Sequence, residues 1–353
     1  MKRTGKIILG CLLVVVSLML TISCQHKDLC YYHPHVAPVK IKVDWNGYNI
    51  DGMTAFLFAR QDMSQTINTT VTTHQVEHIQ FDLLEGKYDV AIFNNIAEEF
   101  TTVRFNNLTD YNNASVQAAE IKVPSWFTKY DVKSSDIYIA SQPEWVARCL
   151  SKDITVTKEM VKIAEEEYLN GDFTMTARTV TLVDQVTPDS LTSTFNIKVK
   201  LKGIDSYYQA RAIVSGLAIG RYIISTEQLN ETVSHYASAG TWKLVKGTLN
   251  ADNTGIIDGN ITCFGLPKGN QTSGISLTIE IMLADKKTII TYDKPIDIGH
   301  LVKIDPITNN IYMAEAIEFP VELPYVNPED GTEGGFNVGF EDWEKEEIEI
   351  LKH

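Results

Sequence analysis

The sequence predicts an all-β chain made of antiparallel β-sandwiches, and three observations support this fold class. Short β-rich runs follow one another through most of the 353 residues. Many of these runs alternate apolar and polar residues, which is the period of a strand with one buried face. Gly, Asn and Asp residues separate the runs at the spacing of turns in sandwich folds. The length suffices for two domains with separate cores.

The N-terminus predicts an export signal that ends in a lipid attachment site. A basic start precedes an uncharged stretch, residues 7–23, which is short for a membrane-spanning helix. The LTISC segment at its end has the form of a bacterial lipobox. We therefore expect residues 1–23 to be a signal peptide cleaved after Ser23, and Cys24 to carry lipid such as palmitate. The lipid would hold the protein on a membrane outside the cytoplasm.

The first half of the mature chain predicts one β-sandwich domain. Residues 24–37 are polar, contain one proline and are interpreted as a tether, and residues 38–170 are interpreted as the N-terminal domain. Few helices are expected, and the candidates are the runs at 141–150 and 158–169. The strand-like runs are VKIKVDW (39–45), MTAFLFA (53–59), VEHIQFDL (76–83) and GKYDVAIFNN (86–95).

A second β-rich block predicts a C-terminal sandwich over residues 171–325. It begins with FTMTARTVTLVDQV (173–186) and LTSTFNIKVKLKG (191–203), which are long alternating runs. Residues 326–353 form an acidic tail on a glycine-rich hinge. The alternating FNVGF of this tail predicts an edge strand, which completes a sheet either in this molecule or in a neighbour.

Charge and cysteine content limit the classes of function. A formal net charge of -14 excludes a nucleic-acid partner, because phosphate contacts need clustered Lys and Arg. Besides Cys24, the mature chain has Cys30, Cys149 and Cys263. Three is an odd number, so either one disulfide forms or all three remain buried thiols.

Two histidine clusters resemble metal sites, but neither predicts one. His74 and His78 fit H-x-x-E-H, yet the β-branched flanks favour a strand, in which they lie about 13 Å apart. Cys30, His33 and His35 lack a fourth ligand. No nucleophile elbow, phosphate loop or dinucleotide fingerprint occurs, so we expect no catalytic residue, metal or cofactor, and a protein that is not an enzyme.

Tryptophans are the candidates for a ligand-facing surface. Trp45 ends one predicted strand and Trp242 begins another, so both are expected in the core. Trp126 lies in the loop-like VPSWFTKY and is therefore the candidate ligand-facing aromatic.

The ordered blocks of the chain resemble those of the Bacteroidetes fimbrillin-like lipoproteins. The resemblance covers most of the mature chain and follows the lipobox. It implies two transthyretin-like β-sandwich domains and an outer-membrane lipoprotein at the cell surface, related to fimbrial subunits or adhesins. The blocks are DLCYYHPH, VDW, GMTAFLF, GKYDVAIFNN, VSGLAIG, TCFGLP and the closing FNVGFEDWEKEEIEI.

The resemblance favours a structural or adhesive protein whose partners are other fimbrial subunits or a host or glycan ligand. The alternative is a glycan-binding surface lipoprotein of a polysaccharide-uptake system, which would expose aromatic rows. The triplet DSL also matches the short pattern that Bacteroidetes use for O-glycosylation. Ser190 in this triplet lies in a turn-like stretch and is a candidate modification site.

Overall fold

A computed structural model describes residues 35–60, 68–130, 138–169, 179–225 and 227–328. Strands dominate it, and the described residues contain one α-helix, α1 (Lys158–Leu169). The first strands are β1 (Ala37–Val43), β2 (Met53–Ala59), β3 (Asn68–Thr73), β4 (His78–Leu83), β5 (Gly86–Phe93), β6 (Val103–Asn106), β7 (Ser115–Ala118), β8 (Ile139–Ala140), β9 (Ala147–Val156), β10 (Thr181–Val186) and β11 (Asp189–Ser190).

The remaining strands follow residue 192 and are separated by short turns. They are β12 (Ser193–Lys202), β13 (Tyr207–Ala218), β14 (Gly220–Tyr222), β15 (Thr232–Ala237), β16 (Trp242–Leu244), β17 (Thr254–Cys263), β18 (Ser276–Leu283), β19 (Ile289–Thr291), β20 (Ile296–Asp297), β21 (Val302–Ile304), β22 (Ile311–Met313) and β23 (Ile317–Glu318). Short 3-10 helices cover Ala97–Glu99, Phe127–Lys129, Ile204–Ser206, Ala239–Thr241 and Gly299–Leu301.

The first sandwich packs a three-stranded sheet on a five-stranded sheet. The smaller sheet has the order β10-β1-β4, and the larger has the order β11-β9-β5-β2-β3. In β1, Val39 and Ile41 are buried and the intervening Lys40 is only half-buried, as the period-two pattern requires. Inner-face residues of both sheets form one hydrophobic core.

The central strands of the five-stranded sheet are buried on both faces. In β2, Ala55 and Leu57 join the core of the first sandwich, whereas Phe56 and Phe58 join a second core on the opposite face. This explains why MTAFLFA has no polar position facing water, although alternation was expected there. The second core contains residues from both halves of the chain, among them Phe93, Val116, Ile223 and Phe264.

The second sandwich also pairs two sheets around one core. One sheet has the order β16-β17-β12-β22-β21, with β23 beside β12, and the other has the order β19-β18-β13-β15-β8, with β20 beside β18. Phe195, Ile197, Val199 and Leu201 alternate along β12 and are fully buried. The all-β prediction of antiparallel sandwiches with few short helices is confirmed.

Strand pairing corrects the predicted boundary at residue 170. Strand β10 runs parallel to β1, and β11 pairs with β9, so both belong to the first sandwich. The two halves are also interleaved, because β8 pairs with β15 and a small sheet has the order β14-β7-β6. Alternation shows that a run is a strand but carries no information about its partner.

The two predicted helices have different outcomes. The run at 158–169 is α1, which lies against β1. The prediction for 141–150 is wrong, because Ala147–Val156 forms β9 between β5 and β11. Its residues Ala147, Arg148 and Cys149 are all buried, so the run shows no strand alternation. In the part of the chain that the structure describes, no helix is long and apolar enough to span a membrane.

Candidate functional site

Trp126 is in the core, so its prediction as a ligand-facing aromatic is wrong. Its side chain is 3% exposed and packs in a small cluster with Phe127 and Tyr130 on the outer face of the sheet that contains β13. The Arg211 guanidinium lies 4.7 Å from the ring centroid in a cation–π contact. The 3-10 turn at Phe127–Lys129 folds these rings onto the sheet. Trp45 and Trp242 are buried, as predicted.

The neighbouring Glu280 is a buried carboxylate that cations surround. Arg211 donates to Glu280 Oε2 from Nε at 3.1 Å and from a terminal nitrogen at 2.8 Å. Lys129 Nζ donates to Glu280 Oε1 at 2.7 Å. The Tyr130 hydroxyl donates at 3.4 Å, and its pKa is raised, first by burial and then by the Glu280 charge. We call Glu280, Arg211, Lys129 and Tyr130 the Glu280 cluster.

The Glu280 cluster is a structural element that sequence reasoning missed. Glu280 lies in β18 on the face opposite to Ile279 and Ile281, which enter the sandwich core. A charged residue inside SLTIEIML was the available signal, but its partners lie far away in sequence. The cluster fixes the segment that carries Trp126 on the outer face of the sheet.

Ser190 lies where a modification could reach it. It is exposed on β11, and its hydroxyl donates a hydrogen bond to the backbone oxygen of Thr192 at 2.9 Å. Glycosylation of Ser190 stays a prediction. Cys24, Cys30, His33 and the tail lie outside the described residues.

Of the two histidine clusters, the described residues include His74 and His78 of the first and only His35 of the second. His74 and His78 lie at opposite ends of the connection between β3 and β4, and not within one strand. His74 contacts the backbone oxygen of Asp51, and His35 pairs with Glu165 of α1. The described residues contain no group of three or more His, Cys, Asp or Glu side chains that could hold a metal ion.

Three buried titratable side chains, Cys149, Cys263 and His235, are neutral at pH 7. Cys149 and Cys263 are free thiols, so they are not bridged to each other. Burial raises the pKa of Cys149 to about 12 and that of Cys263 to about 11. His235 donates from Nδ1 to the Ser141 backbone oxygen at 3.0 Å, and burial lowers its pKa to about 4. Neither thiol is a nucleophile at neutral pH.

Tyr48 and Trp145 form an aromatic pair at the surface, and this pair is the candidate for the ligand-facing role that was predicted for Trp126. Tyr48 is 57% exposed, and its ring centroid lies 4.6 Å from that of the half-buried Trp145. We call this pair the Tyr48–Trp145 platform. Trp145 packs against the core of the first sandwich, so the platform has a fixed base.

A tight turn positions Tyr48. Asn46 and Gly47 adopt positive φ angles of 53° and 80°, which Asn and Gly tolerate best. The Tyr48 amide donates to the Trp45 backbone oxygen at 3.1 Å, and the Trp45 indole donates to Val76 at 2.9 Å. These hydrogen bonds fix the backbone that carries Tyr48, and the Tyr48 ring itself rests against Trp145. Rigid aromatics on loops supply contact area for protein or sugar partners at a low entropic cost.

Comparison with known proteins identifies a family and a fold. The model of a family described as a domain of unknown function, DUF5119, matches residues 23–237. No curated protein matches the sequence.

The chain is also similar to solved structures of proteins from Bacteroides and Porphyromonas species. A candidate adhesin from Bacteroides ovatus has a TM-score of 0.52 at 14% identity, over 86% of this chain and 99% of that chain. A candidate adhesin from Bacteroides thetaiotaomicron has a TM-score of 0.42 at 9% identity, over 78% and 83%. The tip fimbrial protein Mfa3 from Porphyromonas gingivalis, with C-terminal truncation, has a TM-score of 0.31 at 11% identity, over 74% and 81%.

Proposed function

The chain belongs to the DUF5119 family, and from this premise we propose that it is a structural or adhesive subunit at the cell surface and not an enzyme. The observation that carries the proposal is the Tyr48–Trp145 platform, an exposed and preorganised aromatic surface on an all-β scaffold. Exposed aromatics are enriched at contact surfaces because they bury much area with few rotatable bonds. The fold shared with a candidate adhesin over nearly that whole chain supports it.

The N-terminus supplies the anchor in this proposal. Cleavage after Ser23 leaves Cys24 as the lipidated first residue, and residues 24–37 tether the first sandwich to the outer membrane. Partners are then a host surface, a glycan or another fimbrial subunit.

Glycan capture for a polysaccharide-uptake system is the second candidate function. The same platform favours it, because sugar rings stack on exposed aromatic side chains. The two functions differ in readout, since glycan capture predicts binding of a free oligosaccharide and adhesion predicts attachment of whole cells.

The experiment compares cells that display the full chain with cells that display Tyr48→Ala or Cys24→Ala. Attachment to mucin-coated glass under flow is counted, and the protein is measured in membrane and medium fractions. We expect Tyr48→Ala to stay on the membrane and to lower attachment about tenfold or more, as for a central aromatic contact. We expect Cys24→Ala to release the protein into the medium.

Tyr325→Ala is the matched control, because Tyr325 is 82% exposed and lies far along the chain from the platform. It should attach like the unaltered chain. Equal attachment of cells with and without the protein would reject the adhesive function. Full attachment with Tyr48→Ala would reject the platform, and membrane retention of Cys24→Ala would reject the lipid anchor.

A further inference from the structure

A cleft with a volume of about 400 Å³ lies where the first sandwich connects to the second. Its walls come from the connection that carries Asp189, the strand β14, the loop after β17 and the hairpin of β21 and β22. The size is that of a small-molecule site. We call it the Arg221 cleft, after the cation that lines it.

Arg221 is buried but keeps hydrogen-bonding capacity for a ligand. The residue is only 8% exposed, and its Nε donates to the Phe264 backbone oxygen at 3.1 Å, which fixes the guanidinium plane. Within the described residues, neither terminal nitrogen donates a hydrogen bond, and neither is sealed from solvent. Gly265 borders the guanidinium and brings no side chain into the cleft. The donors of Arg221 therefore face the cleft.

The charges around the cleft are unbalanced. Arg148, also buried, donates to Asp189 at 3.1 Å and to the backbone oxygens of Ile223 at 2.6 Å and Ser225 at 3.0 Å. Two buried guanidiniums thus share the single carboxylate of Asp189. Burial lowers the pKa of Arg148 and Arg221, but arginine stays protonated at neutral pH. The nearby Lys268 is already paired with Glu227.

This local excess of positive charge contrasts with the chain as a whole, whose net charge is -14. An unpaired buried cation is costly, and an incoming anion would relieve that cost. A guanidinium presents two parallel N–H groups that match a carboxylate. The geometry therefore favours a carboxylate in the cleft.

The rest of the lining suits a polyhydroxylated molecule. The side chains of Gln228, Asn270 and Asn309 supply amide donors and acceptors around Arg221. Asn270 and Asn309 have φ angles of 55° and 57°, so turn geometry holds both residues in place. Leu266 adds an apolar patch. Amides that surround a hydroxylated ring fix its orientation by hydrogen bonds.

We propose that the Arg221 cleft binds an acidic sugar of the uronic acid class. The terminal nitrogens of Arg221 bind the sugar carboxylate in a bidentate manner, and the amides of Gln228, Asn270 and Asn309 bind the hydroxyls. The cleft is separate from the Tyr48–Trp145 platform. Sugar binding is measured on the purified protein and does not depend on cell attachment. A negative result for the Arg221 cleft therefore leaves the proposed adhesive function unaffected, and a negative attachment result leaves the acidic-sugar proposal unaffected.

The test is calorimetric titration of the purified full chain with three probes. These are a galacturonic acid trimer, a neutral galactose trimer and an acidic tripeptide of aspartate. We expect the acidic sugar to bind at least tenfold more tightly than either other probe. Arg221→Gln should weaken that binding by tenfold or more, because it removes a hydrogen-bonded charge pair.

Two further variants keep the test decisive if Arg221→Gln does not fold. Asn270→Asp keeps the size of an exposed turn residue and adds a negative charge beside the cleft, so it should weaken acidic-sugar binding severalfold. Lys268→Gln removes a positive charge from the same loop without touching the lining, and should change affinity less than twofold.

Several results would overturn the proposal. They are no binding of the galacturonic acid trimer, equal binding of the neutral trimer, tighter binding of the peptide, or unchanged affinity in a folded Arg221→Gln or Asn270→Asp variant. Circular dichroism and a thermal melt establish which variants are folded.

Discussion

The Glu280 cluster and the Arg221 cleft each bury a guanidinium, but they complete its hydrogen bonds in different ways. Arg211 donates twice to Glu280, and its guanidinium also covers Trp126. Arg221 uses only Nε, and its terminal nitrogens face an open cleft. Both arginines are at least nine-tenths buried. Burial of a charge therefore does not by itself distinguish a structural role from a binding role.

The difference lies in where the remaining donors point. In the Glu280 cluster the charge is neutralised inside the protein, so the interaction holds a surface segment on the sheet. In the Arg221 cleft the neutralising group has to come from outside. A buried cation with open donors is thus a candidate site, whereas a buried cation with a satisfied partner is part of the scaffold.

Glu280→Gln should have the largest effect on stability. It leaves Arg211 buried without its carboxylate, which costs about 3–5 kcal/mol of unfolding free energy. Urea denaturation followed by tryptophan fluorescence measures the loss. Glu227→Gln, which breaks the exposed pair with Lys268, is the matched control and should change stability little. A similar small loss for both variants would contradict the structural role of the Glu280 cluster.

Acid should destabilise the fold through His235. Burial lowers the pKa of His235 to about 4 in the folded chain, whereas an unperturbed histidine has a pKa of 6.5. Between pH 4 and pH 6.5 the unfolded chain therefore binds a proton at this residue more readily than the folded chain does. The contribution of His235 to stability is therefore intact above pH 6.5 and falls by ~3 kcal/mol as the pH drops to 4. Urea denaturation at several pH values measures this slope.

His235→Asn is the control for this slope. Asparagine retains a donor near the position of Nδ1, which bonds to Ser141, but does not titrate. The stability of the variant should fall less steeply between pH 6.5 and pH 4. Equal slopes in both proteins would show that other groups cause the acid sensitivity.

Arg221→Met should have the smallest effect on stability, and it tests most directly the contrast between the paired Arg211 and the unpaired Arg221. The substitution removes one hydrogen bond to Phe264 and also removes an unpaired buried charge, and these effects oppose each other. We expect a change of about 1 kcal/mol or less in urea denaturation. A loss as large as that of Glu280→Gln would mean that the charge of Arg221 is neutralised in the fold.

Much of the fold could be predicted, and the limits have physical causes. The strands β1, β2, β4 and β5 lie where the β-rich runs predict them. The helix prediction for 141–150 was wrong because the first residues of β9, Ala147, Arg148 and Cys149, are all buried, so this part lacks the alternation of a half-exposed strand. Tertiary contacts decided the secondary structure there.

The candidate sites were less predictable than the strands. Trp126 lies in a loop-like segment, and nothing in that segment indicates that Arg211 and Tyr130 bury its ring. Tyr48 follows an Asn-Gly turn, which could have indicated an exposed aromatic. Arg221 gave no signal, because the sequence does not show which of its donors remain unpaired.

The sequence by itself determined the all-β class, because alternation and turn residues are local properties of the chain. Only the tertiary structure decided which strands pair and which charges meet. The pair of Lys129 and Glu280 joins residues 151 positions apart, and the strand β10 pairs with β1 rather than with the second sandwich. Such contacts depend on how the sheets stack, and that stacking arises from the burial of many side chains together.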